Sequence, residues 1–305
     1  MVASGGFNRL SALVALSLHV STALDNGLGE TPLLGWNTWK TCGDSGCTHD
    51  YCDEHEVKTA AEAMAANGMQ ALGYNYVNLD DCWAYTRDNA TGALTWDAER
   101  FPSGMNGLAD WLHERGFKFG LYTSGGDETC SDGGRGVPIP GSEGHFEQDA
   151  ASFAEWGVDY VKFDWCGDVK GVGYALAHGK KYHKEFAAAL NATGRPMFLE
   201  VVAGYWFLRG ETGQYANSWR FCEDHHDDWE STAEAVACRV DQGQTKYFNL
   251  TTGEAGAWPY MDFLMTGGNG CAPYEEGVEG MHCPGQTDDE YKSEFGLWAI
   301  AQSPL

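Results

Sequence analysis

A short apolar stretch, residues 158–166, carries charged side chains, Lys162 and Asp164 among them, where a buried strand should carry none. Its residues alternate apolar and other types between Gly157 and Gly167, which is typical of a buried β-strand. Lys162 and Asp164 break this pattern, and a charge in a buried strand needs a partner or a function. From this stretch alone, a structural Lys–Asp pair and a carboxylate delivered to an active site explain the residues equally well.

A second carboxylate favours the active site. Asp224 follows Asp164 by about 60 residues, the length of two βα units of roughly 30 residues each. Two carboxylates that face one pocket are the minimum machinery of glycoside hydrolysis. Lys162 points to the same side of its strand as Asp164, where a cation would keep that carboxylate ionised. Arg220, four residues before Asp224, can steady a carboxylate or a sugar hydroxyl.

Aromatic rings and a carboxylate pair also fit a sugar site. Flat rings at strand ends can stack on a pyranose, although core packing explains any single ring better. The candidates at predicted strand ends are Trp36, Trp39, Trp83, Tyr122 and Trp165. The adjacent carboxylates of Asp80 and Asp81 can accept hydrogen bonds from sugar hydroxyls.

The run 222–228 offers an alternative, because its histidines and carboxylates suit zinc or manganese. No His-x₃-His or Cys-x₂-Cys spacing accompanies the run. Residues 227–229 are instead typical of the acidic start of a helix. We therefore predict no metal and no cofactor.

The elements that must position these residues alternate between strands and helices, which predicts an α/β fold with a parallel sheet. We predict strands at 32–39, 74–79, 117–122, 158–166, 197–202, 219–222 and 262–265. Helices are predicted at about 54–67, 107–115, 146–156, 174–190, 231–240 and 288–301. An open doubly wound sheet competes with a (β/α)₈ barrel. No glycine-rich phosphate motif follows the first strand, and candidate residues end several different strands, so we predict the barrel.

Composition limits the partners and the compartment. The 305 residues include 19 basic and 44 acidic ones, a net charge of −25 that argues against nucleic acid and anionic membranes. Residues 1–23 have the pattern of a secretory signal peptide, and no segment is long and apolar enough to span a membrane. Ten cysteines and sequons at Asn89, Asn191 and Asn249 fit an oxidising compartment. We expect a secreted or lysosomal/vacuolar glycoprotein.

Several motifs together resemble the α-galactosidase/α-N-acetylgalactosaminidase family, glycoside hydrolase family 27. They are Leu34-Gly35-Trp36-Asn37-Thr38-Trp39, Asn78-Leu79-Asp80-Asp81-Cys82-Trp83, Arg100-Phe101-Pro102-Ser103-Gly104, Gly120-Leu121-Tyr122, Lys162-Phe163-Asp164-Trp165-Cys166 and Leu297-Trp298-Ala299-Ile300. The resemblance runs from about Leu24 to the last residue. It implies a (β/α)₈ TIM barrel and a retaining enzyme that removes terminal α-D-galactosyl residues from oligosaccharides, glycolipids or glycoproteins.

The resemblance also implies roles for particular residues. Asp164 would be the nucleophile and Asp224 the acid/base. The substrate-binding residues would be Trp39, Asp80, Asp81, Tyr122, Lys162, Arg220 and Asp262. The implied disulfides are Cys42–Cys82, Cys47–Cys52 and Cys130–Cys166, while Cys222–Cys238 and Cys271–Cys283 are expected from proximity alone. The partner is a terminal α-galactoside, and a homodimer is the assembly we consider.

Two departures from the family pattern qualify these expectations. The family's fifth strand ends in a Glu that contacts the sugar C-2 hydroxyl, whereas Ala203 stands there in this chain, and Glu200 could replace it only if the strand slips. The chain also stops at Leu305, before the family's eighth strand and C-terminal β-sandwich. We therefore expect residues 24–305 to be an incomplete catalytic barrel, inactive by itself, with sheet edges at its first and seventh strands.

Three other activities compete with α-galactoside hydrolysis. An α-N-acetylgalactosaminidase or a β-L-arabinopyranosidase would fit a pocket that has lost the C-2 Glu. A secreted sugar-binding protein without turnover is the third, and the presence of both carboxylates argues against it.

Overall fold

The computed structural model describes residues 26–41, 52–131, 136–166, 172–202, 212–244, 255–266 and 285–305. Its α-helices are α1 (Glu54–Ala66), α2 (Gly104–His113), α3 (Phe146–Glu155), α4 (Val172–Ala192), α5 (Trp229–Gln244) and α6 (Asp288–Ala301). Its strands are β1 (Gly35–Asn37), β2 (Tyr76–Leu79), β3 (Ala84–Arg87), β4 (Leu94–Trp96), β5 (Lys118–Ser124), β6 (Tyr160–Asp164), β7 (Phe198–Val202), β8 (Ser218–Arg220) and β9 (Trp258–Tyr260).

Seven strands form one parallel sheet in the order β1-β2-β5-β6-β7-β8-β9. The sheet is curled into a partial barrel. The evidence is that Lys162 on β6 lies near the ring of Trp39, just after β1, and near the ring of Phe263, just after β9. Side chains that follow the first, middle and last strands therefore meet at one end of the sheet. The predicted TIM-type α/β architecture is confirmed for the seven strands.

Local sequence explains why the helices begin where they do. Asp53 caps α1, because its carboxylate accepts a hydrogen bond from the Glu56 amide. Thr287 and Glu290 form a capping box at the start of α6, as each side chain accepts the other residue's backbone amide. All six predicted helices are present, with ends within four residues of those expected.

Two predictions of strands were wrong or incomplete. The seventh strand of the sheet is Trp258–Tyr260, not 262–265, so Asp262 and Phe263 follow the strand instead of forming it. The sequence did not predict this strand because it contains Pro259, and proline is uncommon inside a sheet. The loop expected after the second strand contains an antiparallel hairpin, β3–β4. Arg87 of that hairpin donates two hydrogen bonds to the buried Asp149 of α3, which fastens the hairpin to the barrel.

The N-terminal segment closes the end of the sheet opposite the candidate site. Asn26 and Asn217 exchange side-chain hydrogen bonds of 3.1 and 2.9 Å. The Gly29 carbonyl accepts hydrogen bonds from the Trp258 indole at 2.6 Å and from the Gly256 amide at 2.7 Å. Leu28 and Leu33 pack on a cluster of interior rings made of Tyr76, Tyr160 and Phe198.

Residues 303–305 lie between the two outer strands of the sheet. The Gly35 amide donates to the Leu305 carbonyl at 2.9 Å, and the Leu305 amide donates to the Leu33 carbonyl at 3.2 Å. On the other side, the Met261 amide donates to the Ser303 hydroxyl at 3.4 Å. Backbone pairing therefore begins along β1, where we had expected an edge without a partner. Within the described ranges, no helix is both long and apolar enough to cross a bilayer.

Candidate active site

A buried ion pair lies at the centre of the site. The Lys162 ammonium contacts the Asp80 carboxylate at 3.0 Å, and both side chains are almost fully buried. The same ammonium lies 5.1–5.2 Å from the ring centroids of Trp39, Tyr122 and Phe263. Burial lowers the pKa of Lys162, but the carboxylates of Asp80 and Asp164 outweigh burial and raise it above its usual value, so the lysine stays charged.

Asp164 ends β6 on the same face of the strand as Lys162. One carboxylate oxygen accepts the Tyr122 hydroxyl at 3.1 Å, and the other accepts the Trp165 amide at 2.7 Å. Burial first, and then the negative charge of Asp164, raise the pKa of Tyr122, which therefore stays neutral and remains a donor. These two donors hold the Asp164 carboxylate in one orientation.

Asp81 is buried as fully as its neighbour Asp80. Its carboxylate accepts the Ser131 amide at 2.7 Å and is 1% exposed. Burial raises the pKa of Asp81 to about 8, and the negative charges of Asp80 and Asp164 add to this effect. The Asp81 carboxyl is therefore protonated at neutral pH in the empty pocket and can donate as well as accept a hydrogen bond.

A second ion cluster is centred on Arg220 at the end of β8. Its guanidinium contacts Asp224 at 2.6 Å and Asp262 at 3.4 Å. Burial opposes its charge, but Asp262, Asp224 and Asp164 raise the pKa of Arg220 well above its usual value. Asp262 is fully buried and also accepts the His225 amide at 2.7 Å, whereas half of the Asp224 side chain is exposed.

The two clusters lie close together at one end of the sheet, and we call the space between them the pocket. The charge of Asp164 acts on Arg220, and the charge of Arg220 acts on Lys162. The pocket therefore holds five aspartates and two cations, with Asp164 and Asp224 contributed by alternate strands of the sheet. Such a set offers many acceptors for sugar hydroxyls and two carboxyl groups for chemistry.

A disulfide packs beside the nucleophile candidate. Cys130 is bonded to Cys166, and the Cys130 sulfur lies 3.7 Å from the Asp164 carboxylate. The backbone beside it is packed very closely, because a Cβ on Gly126 would lie 1.8 Å from the Cys166 carbonyl. Cys130, Asp164 and Cys166 are near enough to hold a metal, but their two sulfurs are bonded to each other, so the thiolate ligands are not available.

The disulfides partly differ from those that the resemblance implied. Cys52 is bonded to Cys82, with a Cα–Cα distance of 6.3 Å, so the pairings Cys42–Cys82 and Cys47–Cys52 were wrong. Cys52 directly precedes the capped start of α1, which holds it against the loop after β2. Cys130–Cys166 and Cys222–Cys238 are confirmed. Cys42, Cys47, Cys271 and Cys283 lie outside the described residues.

The structure brings together all nine residues predicted for catalysis and substrate binding. Of the other aromatic candidates, Trp83 belongs to the core, where it packs on Phe153 and Trp156. Trp36 packs against the core, and Trp165 lies beside Tyr182. Ala203 lies outside the described residues, so the prediction about the C-2 position stays a prediction.

Sequence reasoning missed two contributors and misjudged a third. Phe263 faces Lys162, and the Ser131 backbone binds Asp81, but neither residue type stands out in the sequence. Glu200 does not replace the C-2 Glu, because it lies inside the barrel, hydrogen-bonded to Tyr160 and Tyr260. An acid between the apolar Leu199 and Val201 of a predicted strand was the available signal.

Known proteins match this chain over most of its length. A family model described as alpha galactosidase A (Melibiase_2) matches residues 31–305. An alpha-galactosidase of Cyamopsis tetragonoloba is 37% identical over 92% of the chain, and alpha-galactosidase A of Cellvibrio japonicus is 34% identical over 98%. The chain spans 59% of the first relative and 67% of the second.

Solved structures agree with the sequence comparison. The structure of an alpha-galactosidase from Saccharomyces cerevisiae with raffinose has a TM-score of 0.73 and 32% identity, covering 92% of this chain and 59% of that one. A β-L-arabinopyranosidase of glycoside hydrolase family 27 from Geobacillus stearothermophilus has a TM-score of 0.70 and 26% identity, covering 92% and 71%. The barrel strands and the two ion clusters agree with these matches. The chain belongs to the alpha-galactosidase family, glycoside hydrolase family 27.

Proposed function

We propose that this chain is the catalytic barrel of a retaining exo-α-galactosidase. The observation that carries the proposal is the pocket shared by two ion clusters, in which Asp164 and Asp224 are each held by a specific donor. The names of the relatives support the same reaction. The catalytic domain would comprise residues 24–305, after a signal peptide at 1–23.

The reaction would be a double displacement. Asp164 attacks the anomeric carbon while Asp224 protonates the departing glycosidic oxygen, which leaves a galactosyl ester on Asp164. Asp224 then takes a proton from a water molecule that attacks the same carbon, and galactose leaves with its anomeric configuration retained. Tyr122 would orient Asp164, since its hydroxyl already donates to that carboxylate.

The remaining polar groups would bind the sugar. The carboxyl groups of Asp80 and Asp81 accept its hydroxyls, and Lys162 and Arg220 donate to others. Trp39 would form the wall of the pocket beside Lys162. The disulfides Cys130–Cys166 and Cys222–Cys238, the leader pattern and the sequons support an exported glycoprotein, either secreted or delivered to a lysosome or vacuole.

The test is hydrolysis of a chromogenic α-galactoside by a protein that carries this chain. Asp164→Asn should abolish turnover and leave galactose binding intact, because it removes the nucleophile and keeps the shape of the side chain. Methanolysis should give a product of retained configuration. A product of inverted configuration would contradict the double displacement, and a protein that binds no galactose would contradict the proposed substrate.

Hydrolysis of β-L-arabinopyranosides is the second candidate. The likeness to the Geobacillus enzyme favours it. Rates on α-galactoside, α-N-acetylgalactosaminide and β-L-arabinopyranoside decide among the three. A strong α-galactoside preference that mutations at 200–206 leave unchanged would contradict our placement of the C-2 contact.

A further inference from the structure

Glu200 is a buried acid that the proposed reaction does not use. It lies in the middle of β7 and is 1% exposed. Its two carboxyl oxygens accept the hydroxyls of Tyr160 on β6, at 2.5 Å, and of Tyr260 on β9. One side chain thus joins the strand that ends in Asp164 to the strand that precedes Asp262.

The strand register places Glu200 beside Lys162. In the parallel pair β6–β7, Glu200 is the direct partner of Lys162, so the two side chains lie on the same face of neighbouring strands. Lys162 therefore contacts the Asp80 carboxylate at 3.0 Å and has a second acid, Glu200, beside it on the neighbouring strand. On the other flank of β7, the register partner of Glu200 is the uncharged Ser218.

We infer that Glu200 is a positioning residue of the galactoside site, which acts through Lys162 and weakens sugar binding when it carries its charge. The inference rests on the proposed function. A charged Glu200 draws the Lys162 ammonium away from Asp80 and from the sugar hydroxyls, because an ammonium between two carboxylates is shared between them. A protonated Glu200 leaves the whole charge of Lys162 to the pocket.

The groups that face Glu200 allow this change near neutral pH. Burial raises the pKa of Glu200 to about 7, while Lys162 and the hydroxyls of Tyr160 and Tyr260 lower it and Asp80 raises it. Both tyrosines stay neutral, because burial raises their pKa values far above the usual range. Glu200 therefore changes its charge while its neighbours keep theirs.

The test is calorimetric titration with galactose between pH 6 and pH 8, since binding requires no turnover. We expect the association constant to fall by about fivefold across this interval as Glu200 ionises. Glu200→Gln, which keeps the size and an acceptor oxygen, should remove most of this fall. Asp81, whose pKa is about 8, titrates in the same range. The decisive quantity is therefore the difference between Glu200→Gln and the unaltered protein.

Glu294→Gln is the matched control. Glu294 is equally buried and burial raises its pKa to about 7, but it binds the Met265 amide beside α6. This control should alter the pH dependence of stability and leave that of galactose binding unchanged.

Two further variants test the inference without removing Glu200. Tyr260→Phe or Tyr160→Phe takes away a hydrogen bond that lowers the pKa of Glu200, so the fall in affinity should move to higher pH. If these variants and Glu200→Gln all keep the unaltered pH dependence, Glu200 is only a structural residue and the inference is wrong. If neither the unaltered protein nor any variant binds galactose at any pH, the proposed function is wrong, and the inference that rests on it is wrong as well.

Discussion

At the scale of single residues, the pocket depends on buried charges that hold one another. Lys162 and Asp80 are both nearly inaccessible to water, so each is stabilised chiefly by the other. Breaking such a pair by removing one partner leaves a buried charge without compensation, which is far more costly than losing an exposed pair.

Lys162→Met should therefore lower the free energy of unfolding by about 3–5 kcal/mol. Urea denaturation measures this, and Lys292→Met is the control. Lys292 also pairs with an aspartate, Asp289 at 3.2 Å, but both side chains are exposed. The control should lose less than about 1 kcal/mol. Equal losses in the two variants would show that the Lys162–Asp80 pair is not the determinant of stability that we infer.

His183 offers a second residue-scale test, because its ring is fully buried. Neither ring nitrogen has a hydrogen-bond partner in the part of the chain that the structure describes, and the ring lies against Phe163 and Tyr215. Burial lowers the pKa of His183 from 6.5 to about 3. Below pH 6.5, His183 therefore binds a proton in the unfolded chain but not in the folded protein. The free energy of unfolding consequently decreases as the pH falls towards 3.

His183→Phe removes this loss. Between pH 7 and pH 5, the variant should gain about 2 kcal/mol of unfolding free energy relative to the unaltered protein. The exposed His55, replaced in the same way, is the control and should show no such gain. A constant difference between His183→Phe and the unaltered protein at all pH values would mean that His183 takes up its proton equally well in the folded and unfolded states, which contradicts the prediction.

At the scale of elements, two disulfides should contribute similarly to stability but differently to catalysis. Cys130–Cys166 links the loop after β5 to the end of β6 and touches Asp164, whereas Cys222–Cys238 links the end of β8 to α5. Both close loops of moderate length and should each contribute about 2–4 kcal/mol to stability.

Replacing either pair by two serines should lower the unfolding free energy similarly. Only the Cys130/Cys166 variant should also lower kcat on an α-galactoside, by about tenfold or more, because its loss frees the Asp164 carboxylate. The assay compares both variants at a temperature where each remains folded. A comparable loss of kcat in the Cys222/Cys238 variant would indicate a general loss of structure instead.

The sequence predicted long elements and strand ends better than short or irregular parts. Hydrophobic periodicity located all six helices, and the charges at strand ends located the pocket. The strand at Trp258 was missed, since three residues around a proline carry little periodicity. Cys82 is bonded to Cys52 instead of Cys42, the partner that the family resemblance implied, and the sequence alone does not determine disulfide connectivity. Phe263 and Ser131 act in the pocket only through tertiary packing.

At the scale of the whole molecule, buried carboxyl groups set the pH at which the fold is most stable. Burial raises the pKa of Asp81 to about 8 and the pKa values of Glu200 and Glu294 to about 7. The folded protein therefore keeps three protons that the unfolded chain releases above about pH 4–5. The free energy of unfolding therefore falls as the pH rises from about 4–5 towards the pKa values of these three acids. His183 has the opposite effect, because the unfolded chain binds one proton there that the folded protein does not.

The unfolding free energy should accordingly fall by on the order of 1–3 kcal/mol per pH unit between pH 5 and pH 7. Urea denaturation at pH 5, 6 and 7 measures the slope, and Glu200→Gln or Glu294→Gln should each reduce it. Such a profile would suit an acidic compartment. A protein that is more stable at pH 7 than at pH 5 would contradict the buried, protonated state of these three acids.

The closure of the sheet by its N-terminal segment has a consequence for the growing chain on the ribosome. Gly29 is held by Trp258, which is synthesised 229 residues later. At about 5–20 residues per second, that partner emerges on the order of 10–50 s after Gly29. During that interval Leu28 and Leu33 lack the strands on which they pack in the folded protein. The rings of Tyr76 and Tyr160 likewise lack their packing partner until Phe198 has been synthesised. The period of greatest exposure to aggregation and to chaperones therefore ends only when the last strands have been made.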